Sequence, residues 1–221
     1  MENKFDKQKS EHIEQKELEN DKPKFYKRTW SSKVIVLFLV LCISAILGNF
    51  TAFAYNIWMS GGFSPTPAYL YCYSGFSSET LAAVHNGCLA WNGGGQGNLV
   101  YRSTSTHSTT VFPYKNYRNE ITKGARGTNT YLMATCSTQL SGVAITEADI
   151  DINISYDFGS SDTSYDTRTA MTHEIGHVLG LDEMRTGINN VMYYRRGVGE
   201  EVYSLSTDDR NGLAAIYQGR M

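Results

Sequence analysis

The polar and apolar texture of the chain changes twice. Residues 1–33 are polar and charge-mixed, with few large apolar side chains. Val34–Leu47 then runs for 14 residues with no charge and a single serine. From residue 55 onward, apolar positions recur with the periods of strands and helices. "TPAYLYCYSGF" is aromatic and β-rich and predicts a strand. In "SSETLAAVHNGCLAWN", Leu81, Val84, Cys88 and Leu89 fall on one helical face, with Ser77 or Ser78 as cap, and "GGGQGN" ends the helix. "LVYRS" predicts a strand, and "HSTTVFPYKNYRNEITKGARGTN" a loop with little regular structure. "TYLMATCST" and "EADIDINIS" predict two more strands, the second alternating Ala148, Ile150, Ile152 and Ile154 with polar neighbours. After the polar link "YDFGSSDTSYDT", a second helix starts at an Asp166 cap and runs to Gly180. The last helix opens at Ser206, with Asp209 completing a capping box and Leu213, Ile216 and Tyr217 forming its apolar face. Strands followed by helices, without strict alternation, indicate an α+β fold.

Charge adds direction to this pattern. The 221-residue chain has a formal net charge of only −2, which argues against nucleic acid or any other polyanionic partner. Residues 1–54 carry nine Lys/Arg against seven Asp/Glu, and residues 55–221 carry eleven against fifteen. "KPKFYKRTWSSK" gathers five of those bases with no acid just ahead of the apolar run. A basic flank keeps the N-terminus inside, so the remainder is expected outside the cytoplasm. The run has the length of a signal-peptide core, and "AFA" at Ala52–Ala54 fits a small-x-small cleavage pattern. Extended to Ala54 it reaches roughly 20 residues, enough to span a bilayer. Secretion after cleavage and retention as a membrane anchor both remain open. The expected organisation is a disordered segment 1–33, a signal peptide or signal-anchor 34–54, and one domain over 55–221.

Cysteine usage follows from export. Cys42 lies in the apolar run, while Cys72, Cys88 and Cys136 fall in the exported part, where disulfides persist. One bridge and one odd thiol is the expectation, with three reduced thiols as the alternative.

The chemistry concentrates in "TAMTHEIGHVLGLDEMRTGINNVMYY", Thr169–Tyr194. His173 and His177 stand one helical turn apart, so their imidazoles share a face and can hold one Zn²⁺. Glu174 borders that face and is placed to act as general base on a metal-activated water. Gly180 permits a sharp turn that brings residue 183 back under the metal, and Met192 offers an apolar floor. His85 sits on the apolar side of its helix as a core or groove residue, and His107 lies in a loop. Asp149, Asp151 and Asp157 offer a weak option for Ca²⁺, against the simpler reading of solvated acids on an exposed strand face.

"HEIGHVLGLDE", "NNVMYY" and "LSTDDRNGLAAIY" together resemble the metzincin zinc peptidases, and within them the matrixins, over roughly Pro65 to Gln218. The resemblance implies a mixed twisted sheet whose edge strand lines the cleft, an active-site helix, and a small C-terminal lobe carrying the Met-turn. "EADIDINIS" is the segment expected to be that edge. It also implies His173 and His177 as zinc ligands, Glu174 as catalytic base and Met192 as the Met-turn residue. The sequence departs from the pattern at the third ligand, where Glu183 replaces a histidine. A carboxylate is a competent zinc ligand, and Asp182 beside it is the second choice. Tyr194, two residues after Met192, matches a tyrosine of astacin-like and serralysin-like metzincins, so it either donates to the transition-state oxyanion or packs on Tyr193. Arg195 and Arg196 are expected to make the neighbouring pocket rim basic. The implied activity is zinc endopeptidase cleavage of a protein or peptide. The alternative is a metzincin-like binding module with a weakened metal site.

Overall fold

A computed structural model describes residues 55–128 and 134–220. The charged leader, the apolar run with Cys42 and the Ala52–Ala54 pattern lie outside the described residues. No helix among the described residues is long and apolar enough to cross a membrane.

Strand β1 (Ala68–Tyr73) leads into helix α1 (Ser78–Asn92), which Ser77 caps by accepting from the Thr80 amide. Strands β2 (Val100–His107), β3 (Asn119–Gly124), β4 (Ala134–Ser141) and β5 (Ala144–Asn153) follow, then a two-residue pair, β6 (Phe158–Gly159) and β7 (Tyr165–Asp166). Helix α2 (Thr167–Val178) begins at the predicted cap, Asp166, whose Oδ1 accepts from the Thr169 amide at 2.6 Å. Helix α3 (Thr207–Tyr217) starts with the Ser206/Asp209 capping box that its sequence predicts. The result is an α+β fold around a five-stranded mixed sheet, in the order β2-β1-β3-β5-β4, with only β4 antiparallel.

Two expectations about this sheet are corrected. The segment read as a loop contains β3, a central strand, because its hydrophobic signal is a single buried residue, Ile121, among polar ones. The cleft edge is not "EADIDINIS", which forms the interior strand β5, but β4, the strand before it.

Alternation misleads in β5 because both of its faces are covered. Ala148, Ile150 and Ile152 enter the core below α1 and α2. Glu147, Asp149 and Asp151 point the other way, yet each is under 5 % exposed, because the loops around β3 fold over them. Glu147 accepts the amides of Asn116 and Tyr117, and Asp149 those of Tyr114 and Glu120. Asp151 binds Thr122 and pairs with Arg126 at 2.8 Å. Burial pushes the Asp149 carboxyl up to about 6, with those amides opposing and Glu147 and Glu120 adding to the rise. Anchoring of loops thus replaces the solvated, or calcium-holding, reading of Asp149 and Asp151.

Helix α1 also differs from its prediction. Its buried face is Ala83, Val84, Gly87, Cys88 and Trp91, whereas Leu89 and His85 are exposed. Trp91 sets this rotation: its indole N–H donates to the Thr172 carbonyl of α2 at 2.7 Å in the core. Cys72, Cys88 and Cys136 are all free thiols, correcting the expected bridge. Burial raises Cys72 to about 11 and Cys88 to about 12, so both act as small apolar packing groups.

Candidate metal centre and cleft

The site is built on α2 and the turn that follows it. The Nε2 atoms of His173 and His177 lie 3.2 Å apart, with the rings edge-to-face. Each Nδ1 meets a carbonyl: that of Val191 at 2.8 Å for His173, and that of Leu181 at 2.9 Å for His177. Carbonyl oxygens only accept, so both Nδ1 atoms carry the proton, and each neutral ring is left with its lone pair on Nε2. Two lone pairs facing one another at this distance repel unless a cation lies between them. Two ligands about 2.0–2.1 Å from one tetrahedral ion would stand about 3.3 Å apart. The pair therefore fits a metal better than a mutual hydrogen bond.

Glu183 completes the group: one ligand atom each from His173, His177 and Glu183 lies within 4.8 Å of the others. No other such group of three or more His, Cys, Asp or Glu donors occurs among the described residues. Gly180 makes the return possible, with φ +96°, a conformation that a side chain would strain. Asp182 is used differently, its Oδ1 accepting the Glu183 amide at 2.8 Å. The geometry thus gathers Glu183 rather than Asp182, and a neutral-imidazole pair with one carboxylate suits Zn²⁺.

Glu174 is 6 % exposed and lies between the metal-ligand group and β4. Burial pushes its carboxyl up to about 7; His177 and the Cys136 amide oppose the shift, and Glu183 adds to it. His173 moves the other way, down to about 3, through burial, with His177 and Arg196 contributing and the Val191 carbonyl opposing. The imidazole is thereby kept neutral, as a metal ligand must be.

Met192 lies 1 % exposed beneath the helix, so close that a Cβ on Gly176 would overlap its sulfur. The turn bearing it is held at both ends: the Met184 amide donates to the Met192 carbonyl, and the Tyr194 amide to Met184.

The cleft extends to both sides of the metal group. One side is a pocket walled by Phe158, Tyr165, Tyr193 and Arg196 beside His173 and Glu174. Tyr194 is exposed on this pocket wall, and its ring packs against Tyr193 at 5.0 Å, the second of its two expected arrangements. Arg196 bonds to the carbonyls of Ile188 and Asn190 and lies over the Tyr193 ring, while Arg195 is exposed on the rim. On the other side, β4 residues Thr135–Thr138 line a second pocket together with Trp58, His177 and Glu183. His107 is buried at the end of β2 against the Ile121 carbonyl, and His85 is exposed on α1; neither joins the site. Asn56 and Trp58 had no sequence signal, standing in a short segment ahead of the first strand that matches no motif. Asp209 was visible as a helix cap but not as a support for the Met192 turn.

The family model for matrixins matches residues 101–218, more than half of the chain and all of the His173–Glu183 group. No curated protein matches.

Proposed function

This chain belongs to the matrixin family, and we propose that it is an exported zinc-dependent endopeptidase. The observation that carries the proposal is the convergence of His173 Nε2, His177 Nε2 and the Glu183 carboxylate beside a buried Glu174, in a cleft open along the β4 edge. A zinc ion held there by His173, His177 and Glu183 supplies a Lewis acid that polarises the scissile carbonyl and acidifies the attacking water.

The remaining roles fall to the protein. An extended peptide adds to β4 as a further strand, its backbone bonding to the free edge near Ala134–Thr138. One side chain enters the pocket between Tyr165 and Tyr193. Glu174 takes the proton of the attacking water on a carboxylate oxygen and delivers it to the leaving amine nitrogen. Before metal is bound, burial already makes this carboxyl a stronger base than a free one. Tyr194, on the pocket wall, donates its phenol to the developing oxyanion. The basic stretch Lys22–Lys33 and the apolar run Val34–Ala54 support export, followed either by cleavage near Ala54 or by retention in the membrane. The domain that follows, 55–221, is the catalytic unit.

Elemental analysis of the wild-type chain beside Glu183→Ala tests the reading. About one zinc per chain in the wild type, and much less in the variant, is the expected result. Wild-type protein that takes up no zinc on reconstitution would overturn it and leave a metzincin-like binding module. Equal zinc in both proteins would keep the metal but remove Glu183 from it.

A further inference from the structure

Residues 56–59 strap the turn that carries Glu183. The Trp58 and Met59 amides both donate to the Gly180 carbonyl, at 2.9 and 3.1 Å. The Asp182 amide donates to the Asn56 carbonyl at 3.1 Å, and Ile57 bridges Leu181 in antiparallel fashion. Asn56 Nδ2 then donates to the Glu183 carbonyl at 2.7 Å. A Cβ on Gly180 would come within 2.7 Å of the Met59 carbonyl, so strap and turn are in direct contact.

The three metal-facing residues are not equally secured. His173 and His177 are rigid rings, each fixed by its second nitrogen on a carbonyl. A glutamate has three rotatable side-chain bonds and no second nitrogen to anchor. Its direction has to come from the backbone that bears it, and Asn56 grips that backbone on both sides, at the amide of residue 182 and the carbonyl of residue 183.

We propose that Asn56 is a positioning residue for Glu183, so that the segment ahead of the first strand is a working part of the metal centre. The proposal rests on reading His173, His177 and Glu183 as the zinc site, and deepens it. A histidine at position 183 would carry its own anchor; the glutamate found here makes the strap necessary.

The test uses the full chain and zinc alone, with affinity read by competition against a chromophoric chelator. Asn56→Ala should weaken zinc binding about 3- to 10-fold, the share of one net hydrogen bond. Asn56→Asp, which turns an acceptor toward the Glu183 carbonyl, should weaken it at least as much. In a Glu183→Ala background, Asn56→Ala should have no further effect on zinc. A purely structural role predicts a lower melting temperature of the metal-free protein with unchanged zinc affinity, and that result would overturn the proposal. So would wild-type affinity in Asn56→Asp, or an Asn56→Ala loss that persists without Glu183. Failure of the wild type to bind zinc would instead remove the metal reading itself, and this proposal with it.

Discussion

The Asp209 carboxylate reaches back 18 residues to accept the Val191 amide at 2.9 Å. The same carboxylate takes the Met192 amide at 3.2 Å and the Ser206 amide at 2.8 Å, while being 1 % exposed. Since the Val191 carbonyl fixes the His173 tautomer, the cap of α3 is connected to the metal-facing helix through one peptide unit.

Asp209→Ala leaves three amides without their acceptor in the protein interior. At about 1–3 kcal/mol for each buried unsatisfied donor, the loss should be at least about 3 kcal/mol, seen as a lower denaturation midpoint at unchanged slope. Zinc affinity should fall as well, because His173 loses its support.

Glu174→Gln preserves shape and removes the base. Peptide cleavage should drop about 10²- to 10⁴-fold while zinc content stays at the wild-type level. An active Glu174→Gln would remove Glu174 from the mechanism.

The two shifted groups of the centre act oppositely on the stability of the metal-free protein. His173 has its folded value, about 3, below its ordinary 6.5, so its contribution is present above that value and is lost as pH falls. Glu174 has its folded value, about 7, above its ordinary 4.5, so its contribution is present at low pH and is lost as pH rises. Asp149, raised to about 6, adds a second contribution that is lost as pH rises, so between about 4.5 and 6 two falling slopes oppose the one rising slope of His173 and metal-free wild-type stability should fall with pH. In Glu174→Gln the His173 and Asp149 slopes oppose one another. Its melting temperature should be nearly flat over that window, as calorimetry of the two metal-free proteins would show.

Gly176→Ala forces a methyl group against the Met192 sulfur and to within 2.7 Å of Trp91 Cζ2. Overpacking of this kind costs about 1–3 kcal/mol. The predicted signature is reduced thermal stability, with activity reduced as well because Met192 lies under the histidines.

Trp58 is 53 % exposed and lines the same part of the cleft as β4 residues Ala134–Thr138, along which the proposed peptide substrate would run. Trp58→Ala should raise KM several-fold for peptides long enough to pass it, with kcat little changed, and leave short peptides unaffected.

The part of the site that sequence made legible is the part written in local spacing. His173, Glu174 and His177 share one turn of helix, Asp166 and Ser206 cap helices in sight of their own first turns, and Gly180 announces its bend. Contacts set by the tertiary fold were hidden. The exchange of β4 and β5 between edge and interior depends on chain crossover, which periodicity does not encode. Polar alternation in β5 reads as a wet face, and only the loops lying over Glu147 and Asp149 make it dry. Asn56 and Glu183 are 127 residues apart, and neither residue type signals the other.

Two of the β5 carboxylates, Glu147 and Asp149, bind backbone rather than side chains. Glu147 and Asp149 between them hold the amides of Tyr114, Asn116, Tyr117 and Glu120, and the Asn153 side chain accepts that of Arg126. An amide is common to every residue except proline. The strand therefore dictates where these loops run while leaving what they display almost unconstrained. That makes the surface around Tyr114–Tyr117 a place where evolution, or an engineer, can rewrite the exterior of the molecule without disturbing the cleft.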